Sequence, residues 1–160
     1  MAEYKFITHW KLNAPMEEIW DVIYDVSKWH EWWKGVLEVK VISDSKDGEI
    51  RFAHTWRSFI PYKLKFITRV TDIDPLKSIM AKATGELEGT GRWEFKDTGH
   101  GETIVTYLWF VHTTTPWMNI SAPFLSWLFR WNHDTVMRWG GEGLSKKLNC
   151  KIHFSSEWLR

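Results

Sequence analysis

Cysteine is almost absent from this 160-residue chain: Cys150 stands alone, so no intrachain disulfide can form. A reducing, cytoplasmic setting is the expectation that follows. An excess of one charge is missing too. Twenty-one Lys and Arg face 20 Asp and Glu, a formal net charge of +1. Nucleic-acid binders carry a basic excess or stripe, so nucleic acid is not an expected partner. The seven histidines, at 9, 30, 54, 100, 112, 133 and 153, show no HxxxH or HExxH spacing, which argues against a metal site. Gly85, Gly89 and Gly91 lack the GxGxxG context of a phosphate loop, no GxSxG elbow stands out, and no cofactor is expected. The opening Met-Ala-Glu-Tyr-Lys lacks the charged and apolar regions of a signal peptide. No linker, repeat or low-complexity tract interrupts the chain, so one domain over residues 1–160 is expected.

What is abundant is tryptophan. There are 13, and 16% of all residues are aromatic. Each large aromatic buries roughly 150–250 Å², more than a core of this size needs. The surplus has three natural destinations: the lining of a cavity, an interface, or a membrane surface.

Apolar periodicity orders the chain. Tyr4 to Leu12 alternates, with Phe6, Thr8, Trp10 and Leu12 on one face of a strand. Asn13-Ala14-Pro15 and the acids Glu17 and Glu18 open a helix whose Met16, Ile19, Trp20 and Ile23 share a stripe. A second short helix, dense in Trp29, Trp32 and Trp33, ends at Gly35. Six strands follow: 36–43, 49–56, 62–74, 78–85, 87–96 and 102–114, with a hairpin signal at Asp47-Gly48 between the first two. The fifth carries Trp93, and in the last Val105, Tyr107, Trp109 and Val111 share a face. Its other face is also apolar, which predicts a central or doubly covered strand. A helix from about Ala122 to about Asn149 closes the chain, with Phe129, His133, Val136, Met137, Gly140, Leu144 and Leu148 on one stripe. Gly140 in mid-stripe predicts close approach to another backbone, or a bend. The order gives an α+β fold: a curved antiparallel sheet of about seven strands wrapped around a long C-terminal helix, with two short helices after the first strand.

From Thr103 to Phe129 no residue is charged. That length would suit a membrane span, but Pro116, Asn119, Pro123 and the run of threonines at 113–115 argue instead for strand, turn and helix start. No transmembrane segment is expected. Phe124, Trp127, Leu128 and Trp131 add a second apolar face to the start of the last helix. Burial under the loops is the reading adopted; a homodimer contact or peripheral docking on a bilayer are the alternatives.

Three stretches resemble the SRPBCC (START-like, helix-grip) superfamily. Asn13 to Val22, followed by Asp25, Trp29 and Trp32, is similar to its opening pattern APxxxVWxxxxDxxxWxxW. Gly85 to Trp93 with Thr103 to Tyr107 resembles its last two strands. Arg130-Trp-Asn-His133, Val136-Met137 and Gly143-Leu144 resemble the final helix of a bacterial polyketide cyclase/dehydrase-like branch. The resemblance implies the helix-grip fold and an apolar cavity between sheet and last helix. The expected partner is then a small hydrophobic molecule, such as a lipid, polyketide-like or aromatic compound. Cyclase/dehydratase chemistry is the alternative, since fold alone does not fix activity.

Within such a cavity His133 is the sharpest candidate. It either meets a ligand, as hydrogen-bond partner or acid/base, or is a core histidine satisfied by its neighbours. His54 and Trp56 share one face of their strand with Ile50 and Phe52, and Arg51, Ala53 and Thr55 share the other. The face of His54 is taken as inward, although both mix polar and apolar residues. Leu64, Phe66, Trp93, Tyr107, Trp109, Phe129 and Met137 complete the expected lining, with Trp29 and Trp33 at its rim. Glu86, Glu88 and Glu94 are the carboxylates that a catalytic reading would need near His133, and Arg57 is expected in solvent.

Overall fold

A computed structural model describes residues 2–43 and 49–159; the Asp47-Gly48 hairpin signal lies outside them. The first strand, β1 (Glu3–Leu12), buries Tyr4, Phe6, Thr8, Trp10 and Leu12, every second residue. Helix α1 (Met16–Tyr24) buries Ile19, Trp20 and Ile23. A 3₁₀ turn (Val26–Lys28) leads into the one-turn α2 (Trp29–Trp32). Then come β2 (Val36–Ser43), β3 (Ile50–Trp56), β4 (Leu64–Asp74), β5 (Ser78–Gly85), β6 (Leu87–Asp97), β7 (Thr103–Thr113), the helix α3 (Pro116–Leu148) and a last strand β8 (Ile152–Leu159).

The strands form one antiparallel sheet in the order β2-β3-β4-β5-β6-β7-β1-β8. Consecutive strands joined by short turns pair as neighbours, and the first strand returns to pair with β7, Phe6 opposite Trp109. β7 is interior to the sheet, and its outer residues Ile104, Leu108 and Phe110 are only half-buried. The architecture is the expected helix grip, with an eighth strand added. Ile152, Phe154, Ser156 and Trp158 alternate with His153, Ser155 and Glu157 there, and β8 pairs along β1 from Lys5 to Leu12. The signal is a terminal run of only eight residues, easily passed over after so long a helix.

Helix α3 also starts earlier than periodicity indicates. Pro116 occupies the first turn, where its missing N–H costs nothing, and the helix continues through Pro123. Asn119 anchors this start: its Oδ1 accepts from the Thr113 hydroxyl at 2.6 Å and from the Ala2 N–H at 3.0 Å. The far end stops at Asn149 in the left-handed conformation, φ 48°.

The core is densest where the C-terminal half of α3 meets tryptophans. The Trp33 Nε1–H donates to the Val136 carbonyl at 2.8 Å, and the Trp10 Nε1–H donates to the Met137 carbonyl at 3.1 Å. Any side chain on Gly140 would overlap the Trp33 indole, and one on Gly141 would press on Ile152 and Trp10. So what approaches Gly140 is a ring, not a backbone. The backbone approach occurs one turn on, where the carbonyl of Trp32 fills the space beside Gly143. Trp10, Trp29, Trp33 and Trp93 join Ile19, Ile23 and Leu144 in this cluster.

Helix propensity alone would have Gly140→Ala gain about 1 kcal/mol. The overlap with a buried, hydrogen-bonded indole reverses the sign, at a cost of about 1–3 kcal/mol for overpacking. We expect the variant to melt several degrees lower in a circular-dichroism thermal scan.

Candidate functional site

The remaining, N-terminal half of α3 does not seat on the sheet as closely. Between them lies a cavity of about 310 Å³, at the lower end of the ~300–1,000 Å³ usual for ligand pockets. Alternation supplies its walls. On β3, Phe52, His54 and Trp56 face it; on β4, Leu64, Phe66, Thr68 and Val70; on β7, Tyr107, Trp109 and Val111. Trp93 and Gly91 contribute from β6, Tyr4 and Phe6 from β1, and Phe129, His133, Val136 and Met137 from α3. Gly91 matters for the shape: a Cβ there would meet the Tyr107 hydroxyl at 2.8 Å and the Trp109 ring at 3.0 Å.

All ten expected lining residues are therefore brought together, and the inward face of β3 is that of His54. Trp29 and Trp33 line the same space but sit deeper than a rim. Both are buried in the main core cluster, because Gly140 lets Trp33 press into α3 and the Trp29 Nε1–H is held by the Ile23 carbonyl at 2.9 Å. The exposed edge is made instead by the segment between β3 and β4 and the start of α3. Ser58 hydrogen-bonds Asn132, Tyr62 packs edge-on against Trp117 with centroids 5.0 Å apart, and the Tyr62 hydroxyl donates to Glu86. Arg57 is exposed, as expected, and borders the cavity. Three further residues line the cavity: Thr68, which alternates with the expected Leu64 and Phe66 on β4, and Tyr4 and Phe6 from β1, a strand from which no lining residue is expected.

The polar groups fall into two sets. His133 stacks on Phe6, ring centroids 3.9 Å apart at 12°. Both of its ring nitrogens, and the Tyr4 hydroxyl, are buried with no hydrogen-bond partner among the described residues. The Asp134 carboxylate stands 3.8 Å from Nδ1, beyond hydrogen-bond range, and accepts instead from the Trp158 indole at 3.1 Å. Burial pushes the His133 imidazole below its ordinary range, and Asp134 offsets part of that. The second set is on β3 and β4. His54 stacks on Phe66 at 4.8 Å, accepts from the Trp56 indole at 3.3 Å, and bonds the Thr68 hydroxyl at 2.8 Å. Burial pushes His54 down to about 4. Burial likewise pushes the Tyr107 phenol well up, so it remains a neutral hydroxyl.

No carboxylate lines the cavity among the described residues. Glu86 is held by Tyr62 and the Lys65 N–H, Glu88 lies 3.3 Å from His112, and Glu94 lies 2.9 Å from Arg92. None of these three is brought to His133. Among the described residues, no group of His, Cys, Asp or Glu is arranged to hold a metal ion.

The outer side of α3 overturns one expectation. Ile120, Phe124 and Trp127 are 76%, 78% and 63% exposed, and Trp131 and Phe59 are exposed beside them. They are not buried under loops, because the β3–β4 segment reaches only the flank of the helix, where Phe59 stacks on Trp131 at 5.7 Å. Among the described residues, no helix is long and apolar enough to cross a membrane.

Comparison with known proteins agrees with this geometry. The family model described as polyketide cyclase/dehydrase and lipid transport matches residues 12–136. No curated protein matches the sequence. Among solved structures, the ZhuI aromatase/cyclase from Streptomyces sp. R1128 is similar with a TM-score of 0.76 at 11% identity, over 92% of this chain and 94% of that one. A START superfamily protein from Mycobacterium smegmatis gives 0.72 at 13% identity, over 91% and 97%. Human STARD10 gives 0.61 at 18% identity, over 88% of this chain and 63% of that one.

The two lowered histidines fix a pH dependence. An unfolded histidine titrates near 6.5 and folded His54 near 4, so the unfolded state binds the extra proton between them. Stability should be level above about pH 7 and fall by roughly 1.4 kcal/mol per pH unit on account of His54 between about 6.5 and 4, with His133 acting in the same direction. Thermal melts from pH 8 to 4 should show this, with a shallower fall in His54→Phe.

Proposed function

The chain belongs to the polyketide cyclase/dehydrase and lipid transport family, and from that premise we propose that its cavity binds a small hydrophobic compound for carriage or sequestration. The observation that carries this reading is the pairing of an apolar enclosure with unsatisfied polar atoms. Aromatic and aliphatic walls supply affinity by burial. The ring nitrogens of His133 and the hydroxyl of Tyr4 lack partners among the described residues, and a buried polar group without one costs about 1–3 kcal/mol. A ligand hydroxyl or carbonyl removes that cost, and so fixes its own orientation. The volume favours a compact ring compound or a short chain over a large lipid.

The cyclase/dehydratase alternative would use His133 as acid/base. Its neutral imidazole suits a general base. No carboxylate among the described residues lines the cavity to pair with it, so binding is preferred.

The exposed apolar side of α3 supports a second element: docking on a bilayer surface. Ile120, Phe124, Trp127 and Trp131 recur at 4, 3 and 4 residues, one side of a helix. Exposed Trp117, at the start of the same helix, lines the cavity, so an apolar compound could pass between bilayer and interior without crossing water. Trp and Phe on such a side suit the headgroup boundary.

Native mass spectrometry of protein as purified should reveal a bound hydrophobic compound. His133→Phe keeps the stack on Phe6 and removes both nitrogens; its affinity for that compound should fall roughly 5- to 20-fold, the equivalent of one lost buried hydrogen bond. Equal affinities would remove His133 from the site. For the second element, the protein should float with phosphatidylcholine/phosphatidylglycerol vesicles, and the double change Phe124→Ser with Trp127→Ser should abolish flotation. A dimer in sedimentation velocity that the same changes dissociate would assign this side to a second copy instead.

A further inference from the structure

The contacts around His54 determine where its proton sits. The Trp56 indole Nε1–H can only donate, and it donates to His54 Nδ1. In the neutral ring Nδ1 is therefore the acceptor and Nε2 carries the hydrogen. Nε2 lies 2.8 Å from the Thr68 Oγ1, so the imidazole donates and the threonine oxygen accepts. The threonine's own hydrogen is thereby left over. His54 is its hydrogen-bond partner among the described residues, and Thr68 lines the cavity.

This order cannot readily reverse. His54 is buried against Phe66 and stands 5.9 Å from Trp29, both apolar faces. Burial also disfavours the charged ring, which would need to donate from both nitrogens and lose the Trp56 bond. Register keeps the parts in place: His54 pairs with Phe66 and Phe52 with Thr68 on adjacent antiparallel strands, so Thr68 is the diagonal neighbour of His54 on the inward side. Hydrogen bonds linked in series also strengthen one another.

We propose that the Trp56–His54–Thr68 series presents the Thr68 hydroxyl as a directed hydrogen-bond donor to the bound compound, so that the cavity selects compact hydrophobic ring compounds carrying a carbonyl or equivalent acceptor. This rests on the binding function proposed above and names its selectivity. His133, on α3, accepts or donates according to tautomer; Thr68 has one lone pair taken by the His54 Nε2–H and its own hydrogen free to donate, and so it tells an acceptor from an isosteric apolar group. Thr68 would thus touch the ligand, and Trp56 and His54 would position it. A site built to bond a polar group rejects the analogue lacking it, because its own donor is then left unpaired.

Two probes of nearly one shape decide the matter: 2-acetylnaphthalene, which has the acceptor, and 2-isopropenylnaphthalene, which lacks it. Isothermal titration of wild-type protein should show a preference for the ketone of roughly tenfold, one buried hydrogen bond's worth. The ratio should collapse towards one in Thr68→Val and persist in Thr68→Ser, which restores the hydroxyl. His54→Phe should reduce the ratio as well, since the donor then loses its direction. Both probes binding with a ratio near one in wild type, or a ratio unchanged in Thr68→Val, would overturn the proposal while leaving hydrophobic binding intact. Neither probe binding would overturn the binding function itself, together with the selectivity built on it.

Discussion

Two indole hydrogen bonds hold this molecule in its working shape. Trp33 and Trp10 donate to consecutive carbonyls of α3, those of Val136 and Met137, across the gap left by Gly140 and Gly141. In a regular helix these carbonyls already accept from residues 140 and 141, so each indole adds a second bond where one lone pair remained. The glycines are the condition for it, since a methyl group at either place would hold the rings away. Their intrinsic cost to the helix, about 1 kcal/mol each, is offset by burying two of the largest side chains in the chain against it. One half of α3 is thus clamped to the sheet, and the other half extends from that clamp to the Asn119 anchor.

The cavity is a consequence of that division. Where indoles press in, the interior is filled; where the helix runs on over Phe129 and His133, it is not. Near the clamp, the nitrogens of Trp10, Trp29 and Trp33 all reach carbonyls. Beyond it, His133 and Tyr4 have buried polar atoms with no partner among the described residues, as do Thr8, Trp32 and Thr115 elsewhere. Natural cores rarely leave such atoms unmet, and of these residues Tyr4 and His133 are the ones that line the hollow. The histidines also divide the roles: His54 is spoken for by Trp56 and Thr68, whereas His133 stacks on Phe6 and has no hydrogen-bond partner among the described residues.

Most of this was legible in the residues before any coordinates. Period-two alternation located the strands to within a residue or two, and the stripe Phe129, His133, Met137 set which side of α3 looks inward. The ten expected lining residues do share one space because alternation and helical period are geometric rules that packing seldom overrides. Three matters were not legible. β8 is short and terminal, and its alternation carries weight only once β1 is seen to have a free edge. Pro116 and Asn119 read as a turn ahead of a helix start near Ala122, yet a proline in a first turn suits a helix and Pro123 is carried inside it. The exposure of Phe124 and Trp127 could not be read either, because a sequence shows that a face is apolar but not whether another element covers it. Depth was lost for the same reason: Trp29 and Trp33 were placed at a rim because nothing local reveals that Gly140 opens a slot for one of them.

The tryptophan surplus has a spectroscopic corollary. Trp29, Trp33, Trp56, Trp93, Trp109 and Trp117 all border the hollow, and several touch ring to ring, Trp33 with Trp56 at 4.9 Å and Trp29 with Trp33 at 5.2 Å. Indoles this close exchange excitation, so the cluster behaves as one antenna rather than separate emitters. Whatever enters among them changes the surroundings of all six together, and the molecule carries its own optical gauge of whether it is full or empty.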